Sequence, residues 1–130
     1  MTRPHHSLHA VTLLVPDYDA AIAFFTAAGF ELREDTPLGG GKRWVTLAPP
    51  GGGTALLIAR ATTPAQQAAT GAQAGDRVAF FLTTTDFAAS HAILTAAGAT
   101  WEEEPREEPY GTVAVWRDPF GNRWDLIRFR

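Results

Sequence analysis

The sequence contains no cysteine, so disulfide bonds and thiolate chemistry are both excluded. It also lacks any dense cluster of lysine and arginine, and its 11 basic residues are outnumbered by 14 acidic ones, for a formal net charge of −3. Such a chain has no electrostatic footprint for nucleic acid. No apolar run approaches the length of a membrane span, and the first residues lack a charged-then-apolar signal pattern. We therefore expect a cytoplasmic protein with neither a nucleic-acid nor a membrane partner.

The composition is otherwise that of one ordinary globular domain. With 130 residues and a hydrophobic share of 45%, the chain is long enough to bury a real core. Its aromatic residues include four tryptophans. Tryptophan suits a concave apolar surface and a packed core equally well. Composition alone therefore leaves the role of these four side chains open.

The pattern of apolar residues and turn residues predicts one βαβββ unit, then a linker, then a second such unit. In the first unit (residues 8–60), Asp17 or Asp19 caps a helix that ends at Gly29, and in the second (residues 77–130) Asp86 caps a helix that ends at Gly98. The small, polar residues 61–76 form the linker. The strands are predicted at 8–15, 30–33, 44–47, 55–59, 78–84, 99–102, 112–116 and 123–129.

The two units match each other at a constant offset of 69 residues. Asp17 matches Asp86, and the run that ends at Gly29 matches the run that ends at Gly98. Further on, Leu57-Ile58 matches Leu126-Ile127. No gap is needed across the whole unit, so we interpret the pattern as an internal duplication.

Two motifs in this repeat are typical of a known family. An aspartate follows the first strand of each unit, and Asp118-Pro119-Phe120-Gly121-Asn122 precedes the last strand. A duplicated unit with these motifs resembles the vicinal oxygen chelate superfamily, which includes glyoxalase I, bleomycin-resistance proteins, fosfomycin-resistance proteins and extradiol dioxygenases. The resemblance covers residues 8–129. It implies an α+β fold of two βαβββ modules whose curled mixed sheets enclose a cleft, often across a homodimer, and we expect a homodimer here.

In metal-dependent members of this superfamily, four ligands come from symmetric positions on the first and last strands of the modules. By the resemblance, these positions are Ala10, Leu56, Ala79 and Asp125 in this sequence. Three of the four side chains cannot bind a metal, since divalent sites need several histidine or carboxylate donors. We therefore expect no metal and no cofactor. His9 is the one alternative ligand, but strand alternation places it on the opposite face from Ala10.

Asp125 is the residue most suggestive of function, because it is a carboxylate in an otherwise apolar terminal strand. It either pairs with Arg123 at the surface or lies in the cleft, where it binds a ligand or acts as a base. Trp44 and Trp116 lie on strands that line the cleft in this architecture, and Tyr110 belongs to a loop that could close over its mouth. His91 is interpreted as a packing residue of the second helix.

Two functions follow from this set of residues. The first is a metal-independent protein of the glyoxalase/bleomycin-resistance type that binds a small planar or aromatic molecule, with Asp125, Trp44, Trp116 and Tyr110 as the ligand-binding residues. The alternative is a metal-dependent glyoxalase-type lyase, isomerase or dioxygenase that uses unconventional ligands such as His9 and Asp125. The sequence identifies no catalytic residue and does not name the ligand.

Overall fold

The computed structural model describes residues 2–130, which form two open mixed sheets and three helices. The elements are β1 (Ala10–Val15), α1 (Tyr18–Ala27), β2 (Glu31–Gly39), β3 (Lys42–Ala48), β4 (Ala55–Arg60), α2 (Pro64–Ala69), β5 (Phe80–Thr83), α3 (Phe87–Ala97), β6 (Thr100–Trp101), β7 (Arg106–Glu108), β8 (Gly111–Arg117) and β9 (Arg123–Phe129). The first sheet has the strand order β1-β4-β3-β2 and the second the corresponding order β5-β9-β8-β6, with β7 also paired to β8. The predicted α+β class with two mixed sheets is therefore confirmed. None of these helices is long and apolar enough to span a membrane.

The two long helices begin at predicted aspartate caps and α3 ends at its predicted glycine, whereas the C-cap of α1 is Ala28 and not the predicted Gly29. Asp17 is the N-cap of α1, and its carboxylate accepts a hydrogen bond of 2.8 Å from the backbone N–H of Ala20. Asp86 caps α3 in the same way, with a bond of 3.0 Å from Ala89. Gly98 ends α3 with a φ of 116°, a left-handed conformation that favours glycine.

Two strands differ from the prediction. β2 extends to Gly39, well beyond residue 33, and it is exposed along its whole length, so its sequence shows no alternation to read. It is held by its ladder to β3, which includes two irregularities of register. β7 was not predicted: it lies between the predicted strands 99–102 and 112–116, and its three residues, flanked by Pro105 and Pro109, pair with β8. Since proline lacks only its own N–H, it limits the length of this strand rather than abolishing it.

The helix-covered faces of the two sheets share a single core. Phe24 of α1 lies with its ring centroid 6.2 Å from that of Trp116, and Phe25 lies 5.9 Å from Trp124, so α1 joins the second sheet as well as its own. Phe25 and Trp116 are completely buried. Because both helix-covered faces pack into this core, the other face of each sheet points away from it. We call these the first open face (Thr12, Leu14, Trp44, Leu57 and Ala59) and the second open face (Phe81, Val113, Val115, Asp125 and Ile127). On the second, Phe81 is exposed, whereas Val113, Val115 and Ile127 are buried.

The outer edge of the first sheet is covered by a side chain from the linker. β1 is the terminal strand of this sheet. The side-chain amide of Gln73 accepts a hydrogen bond from the N–H of Leu14 and donates one to the carbonyl of Thr12, both 2.8 Å long. Gln73 thus satisfies backbone groups that another strand would otherwise bind.

Candidate functional site

The turn before β9 determines how Asp125 is presented. The carboxylate of Asp118 is buried and accepts four hydrogen bonds, from the backbone N–H groups of Phe120 and Asn122, the amide of Asn122, and the indole of Trp124. Gly121 has a φ of 98°, a left-handed conformation that favours glycine in this turn. The bond to Trp124 fixes that ring on the core side of β9. Since alternate residues of a strand point to opposite faces, Asp125 points to the open side.

Asp125 lies in the middle of the second open face. It pairs with Phe81 of β5 on one side and with Val115 of β8 on the other. Its side chain is partly buried, and the Oδ1 atom is fully buried without a hydrogen-bond partner among residues 2–130. Such a buried acceptor is costly to leave unpaired. A ligand that donates a hydrogen bond to the partly exposed carboxylate would offset this cost.

The charged residues around Asp125 are engaged with one another. Arg106 donates to Glu103 at 3.0 Å and to Glu108, and Arg123 donates to Glu102 at 2.8 Å. Of the two alternatives for Asp125, the surface pair with Arg123 is therefore not formed. Burial raises the pKa of Asp125, Arg106 opposes this rise, Glu103 adds to it, and Arg123 opposes it more weakly.

The first open face carries the largest aromatic side chain of the two faces, Trp44. Thr12 of β1 pairs with Leu57 of β4, and Leu57 pairs with Thr46 of β3, so these three residues point to the same face. Trp44 lies two residues before Thr46 on β3 and therefore shares that face. A cavity of about 630 Å³ opens here, and Trp44 and Leu57 are among its lining residues. The ring of Trp44 is only partly buried. It is available as a flat apolar surface for a planar molecule.

Leu56 is not the counterpart of Asp125, and the offset of 69 residues does not hold in the last strands. Leu56 pairs with Val11 and is only 6% exposed, so it faces the core. Its neighbour Leu57 pairs with Thr12 just as Asp125 pairs with Phe81. The equivalent residues of β4 and β9 are thus 68 positions apart, and the one-residue difference moves Leu56 to the other face.

Trp116 also departs from its expected place. It was predicted to line the cleft, but it is 0% exposed and stacks on Trp124 with a centroid distance of 5.0 Å and an interplanar angle of 18°. Trp116 and Trp124 are cross-strand partners on the core side of β8 and β9. Trp116 therefore stabilises the core and presents no surface to a ligand from the open side.

His91 lies away from the two open faces, and Tyr110 lies at the end of the second. Tyr110 is an exposed residue in the turn between β7 and β8, and its ring lies 6.2 Å from that of Phe129. His91 stacks on Trp101 with a centroid distance of 3.9 Å, so its interpretation as a packing residue is confirmed. Since Phe129 points to the same face of β9 as Ile127 and Asp125, Tyr110 borders the second open face at its far end.

Sequence reasoning missed several residues of the open faces, including Thr12, Leu14 and Leu57 on the first and Phe81 on the second. Strand alternation from Trp44 and Asp125 could have found them, if the pairing between strands had been known. It also missed Arg106 and Glu103, which shape the electrostatics of Asp125. These two belong to β7 and the preceding bend, where no strand was predicted.

The donor atoms present do not fit a chelated divalent metal. Of the four positions that the resemblance implies, only Asp125 carries a donor atom, and neither Leu56 nor its neighbour Leu57 adds one. Among residues 2–130, no group of three or more histidine, aspartate and glutamate side chains is placed to hold a metal ion. His9 precedes β1 and is exposed. One carboxylate is too few ligands for a tightly bound cation of this kind.

Comparison with known proteins identifies the family. Residues 7–126 match the model of the Glyoxalase/Bleomycin resistance protein/Dioxygenase superfamily. This match covers most of the chain, and the fold has the two mixed sheets described above. The protein therefore belongs to this superfamily.

Similar proteins extend this result. An uncharacterized protein of Shewanella frigidimarina is 44% identical over 125 residues, which cover 94% of this chain and 93% of that protein. The crystal structure of UcmS2 is similar with a TM-score of 0.80 and 30% identity, covering 95% of this chain and 98% of that one. TnmS3, an antibiotic binding protein from Streptomyces sp. CB03234, has a TM-score of 0.74 and 27% identity, covering 100% of this chain and 99% of its own.

Proposed function

We propose that this protein binds a planar, partly aromatic small molecule without a metal, in a cleft formed between two copies of the chain. The observation that carries the proposal is the pair of open faces. The first presents the partly exposed Trp44, and the second presents Asp125, whose Oδ1 atom is buried without a hydrogen-bond partner among the described residues. Aromatic stacking and one directed hydrogen bond are the usual elements of a small-molecule site. TnmS3 is an antibiotic binding protein, which supports a small-molecule ligand.

A second chain is needed because the two open faces point away from a shared core. Trp44 and Asp125 of one chain therefore lie on different sides of the molecule. We propose a symmetric homodimer in which the first open face of one chain meets the second open face of its partner. Phe81, on the second open face, is 63% exposed in the single chain, and Leu38 beside the first is 53% exposed. Exposed apolar side chains of this size are typical of surfaces that another molecule covers.

In this cleft, Trp44 of one chain stacks on the ligand and the partner's Asp125 accepts a hydrogen bond from it. The ligand therefore carries a hydroxyl or an N–H group on its ring system. No residue of the two faces is assigned a catalytic step, since the geometry supports binding. Trp116 is not included in the proposed contacts, because its ring lies in the core. Tyr110 is not included either, because its ring packs on Phe129 at the far end of the second open face.

Titration with a planar fluorescent dye, N-phenylnaphthylamine, tests the aromatic contact. We expect saturable binding that weakens about tenfold in Trp44→Leu, because the stacking surface is lost. Trp101→Leu is the matched control, since it also removes one partly buried tryptophan but from the side that stacks on His91. Equal affinity in wild type and Trp44→Leu would contradict the proposed site.

Metal analysis of the purified protein tests the second part of the proposal, that binding needs no metal. A stoichiometric, dialysis-resistant transition metal would contradict it.

A further inference from the structure

The cavity at the end of the first open face has an unusual set of charges for this protein. Three of its lining residues are cations and none is a carboxylate, although acidic residues outnumber basic ones in the chain as a whole. Its floor is apolar and includes Trp44 and Leu57. The lining residues are Thr12, Leu14, Tyr18, Leu38, Gly40, Lys42, Arg43, Trp44, Leu57, Ile58, Ala59, Arg60, Thr62 and Gln66.

The first of the three cations, Arg43, is neutralised within the chain. Its guanidinium donates to both carboxylate oxygens of Asp35, at 3.1 and 2.7 Å, and to Asp19 at 2.9 Å. The two aspartates lie outside the lining of the cavity. Arg43 therefore closes one wall without adding an unpaired charge.

Arg60 and Lys42 have no such partners. Within residues 2–130, neither side chain forms an ion pair or a hydrogen bond. The guanidinium of Arg60 lies over the ring of Tyr18, 5.7 Å from its centroid. A Cβ atom on Gly41 would approach this guanidinium to 3.3 Å, so the β2–β3 turn packs closely against it. Stacking on an aromatic ring orients an arginine while leaving its hydrogen-bond donors available.

A neutral donor completes this group. The side-chain oxygen of Gln66 accepts from the N–H of Thr62 at 2.8 Å and from its hydroxyl at 3.1 Å. This fixes the amide and leaves its NH₂ group without a partner among the described residues. The polar groups left to bind a ligand in this cavity are thus mostly donors, two of them charged.

We propose that the cavity holds an anionic substituent, a carboxylate or a sulfonate, on the aromatic ligand that stacks on Trp44. Arg60 and Lys42 bind the anion, with Gln66 as an additional donor, and an oxyanion matches donors of this kind. This inference rests on the proposed function and specifies its ligand class as aromatic acids. A chain with a net charge of −3 repels anions at long range, so the preference must come from these local contacts.

A pair of dyes that differ only in charge tests the inference. Anilinonaphthalene sulfonate carries the anion, and N-phenylnaphthylamine is the same ring system without it. The test variant is Arg60→Gln with Lys42→Gln. The control is Arg3→Gln with Arg77→Gln, which makes the same change in net charge at two exposed positions outside the cavity.

We expect the affinity for the sulfonate dye to fall about tenfold or more in the test variant and to stay within about twofold of wild type in the control. The affinity for N-phenylnaphthylamine should be the same in all three proteins. Unchanged sulfonate affinity in the test variant overturns the inference, as does an equal loss in the control or an equal loss for the uncharged dye. The proposed function is judged separately, by whether Trp44→Leu weakens binding of the uncharged dye.

Discussion

Leu57 and Asp125 occupy the same place in the two sheets, each on the open face of the last strand and each paired with a residue of the first strand. In one module this position is apolar, and in the other it is a carboxylate. The two open faces are therefore unlike, although they have the same strand order. A site built from one face of each kind has a stacking surface on one side and a hydrogen-bond acceptor on the other.

This equivalence predicts opposite results for two neighbouring substitutions. Leu57→Asp places a carboxylate on an open face, so its free energy of unfolding should fall by less than about 1.5 kcal/mol. Leu56→Asp places the same group in the core, where it should cost about 3–5 kcal/mol. Urea unfolding of both variants measures the difference. Equal losses would mean that the two residues do not alternate between core and open face.

Asp125 should make stability depend on pH in a direction opposite to that of a salt-bridged carboxylate. Its pKa in the folded protein is raised above the ordinary value of 3.8, so the folded state holds the proton more tightly than the unfolded state. The contribution of Asp125 to the free energy of unfolding is therefore greatest below pH 3.8. It falls as the pH rises through the raised pKa, and it stays low above that pKa.

Asp125→Asn removes this dependence. The variant should be more stable than wild type at pH 7, and the gain should vanish in acid below the unfolded pKa. Thermal unfolding from acid to neutral pH measures the gain, and Asp76→Asn serves as a control at an exposed position. A variant that is less stable than wild type at pH 7 would show that the carboxylate is stabilising, contrary to the unpaired Oδ1.

Gln73 should protect the edge of β1. Gln73→Ala removes two hydrogen bonds to the backbone of Thr12 and Leu14, so the free energy of unfolding should fall by about 1–2 kcal/mol. The exposed edge should also increase aggregation, measured by light scattering at high protein concentration. Gln67→Ala is the matched control, since Gln67 is exposed in α2 and its side chain forms no hydrogen bond among the described residues. Equal stability of the two variants would contradict a role for the Gln73 amide.

Local chemistry made much of the fold predictable. The caps at Asp17 and Asp86, and the turn at Gly121, depend on residues within a few positions of one another, and all three are where the sequence places them. The resemblance of the motifs to a known family then indicated how the elements are arranged, so the class of fold could also be predicted from the sequence.

Local chemistry could not predict the register of the last strands, that is, which of their residues point to the core. Leu57-Ile58 matches Leu126-Ile127 in sequence, but Leu57 lies on an open face and Leu126 in the core. Two adjacent apolar residues fit either face, so the match cannot reveal a shift of one position. The segment from Gly29 to the core-facing Leu56 is one residue longer than the segment from Gly98 to the core-facing Trp124. Loops between strands tolerate such a change, and it leaves no local signal.

The position of Trp116 was unpredictable for a different reason. Alternation shows that Trp116 and Val115 point to opposite faces of β8, but it does not say which face is covered by helices. Only the packing of Phe24 and Trp124 against Trp116 decides this. The sequence also could not show that Arg60 and Lys42 form no ion pair among the described residues, because ion pairs depend on which side chains the fold brings together.

Mixing two variants tests most directly whether Trp44 and Asp125 from different chains form one site. Trp44→Leu and Asp125→Asn homodimers each carry only damaged sites. When the two chains are co-expressed with different tags, a mixed dimer contains one doubly damaged site and one intact site, so about a quarter of all sites in a random mixture should regain wild-type affinity. The ligand is an aromatic probe with a hydroxyl group, first shown to bind more weakly to each single variant. Recovery of high-affinity sites in the isolated mixed dimer is the result we predict. If the mixed dimer binds no better than its two parents, Trp44 and Asp125 do not meet across two chains, and the proposed cleft is contradicted.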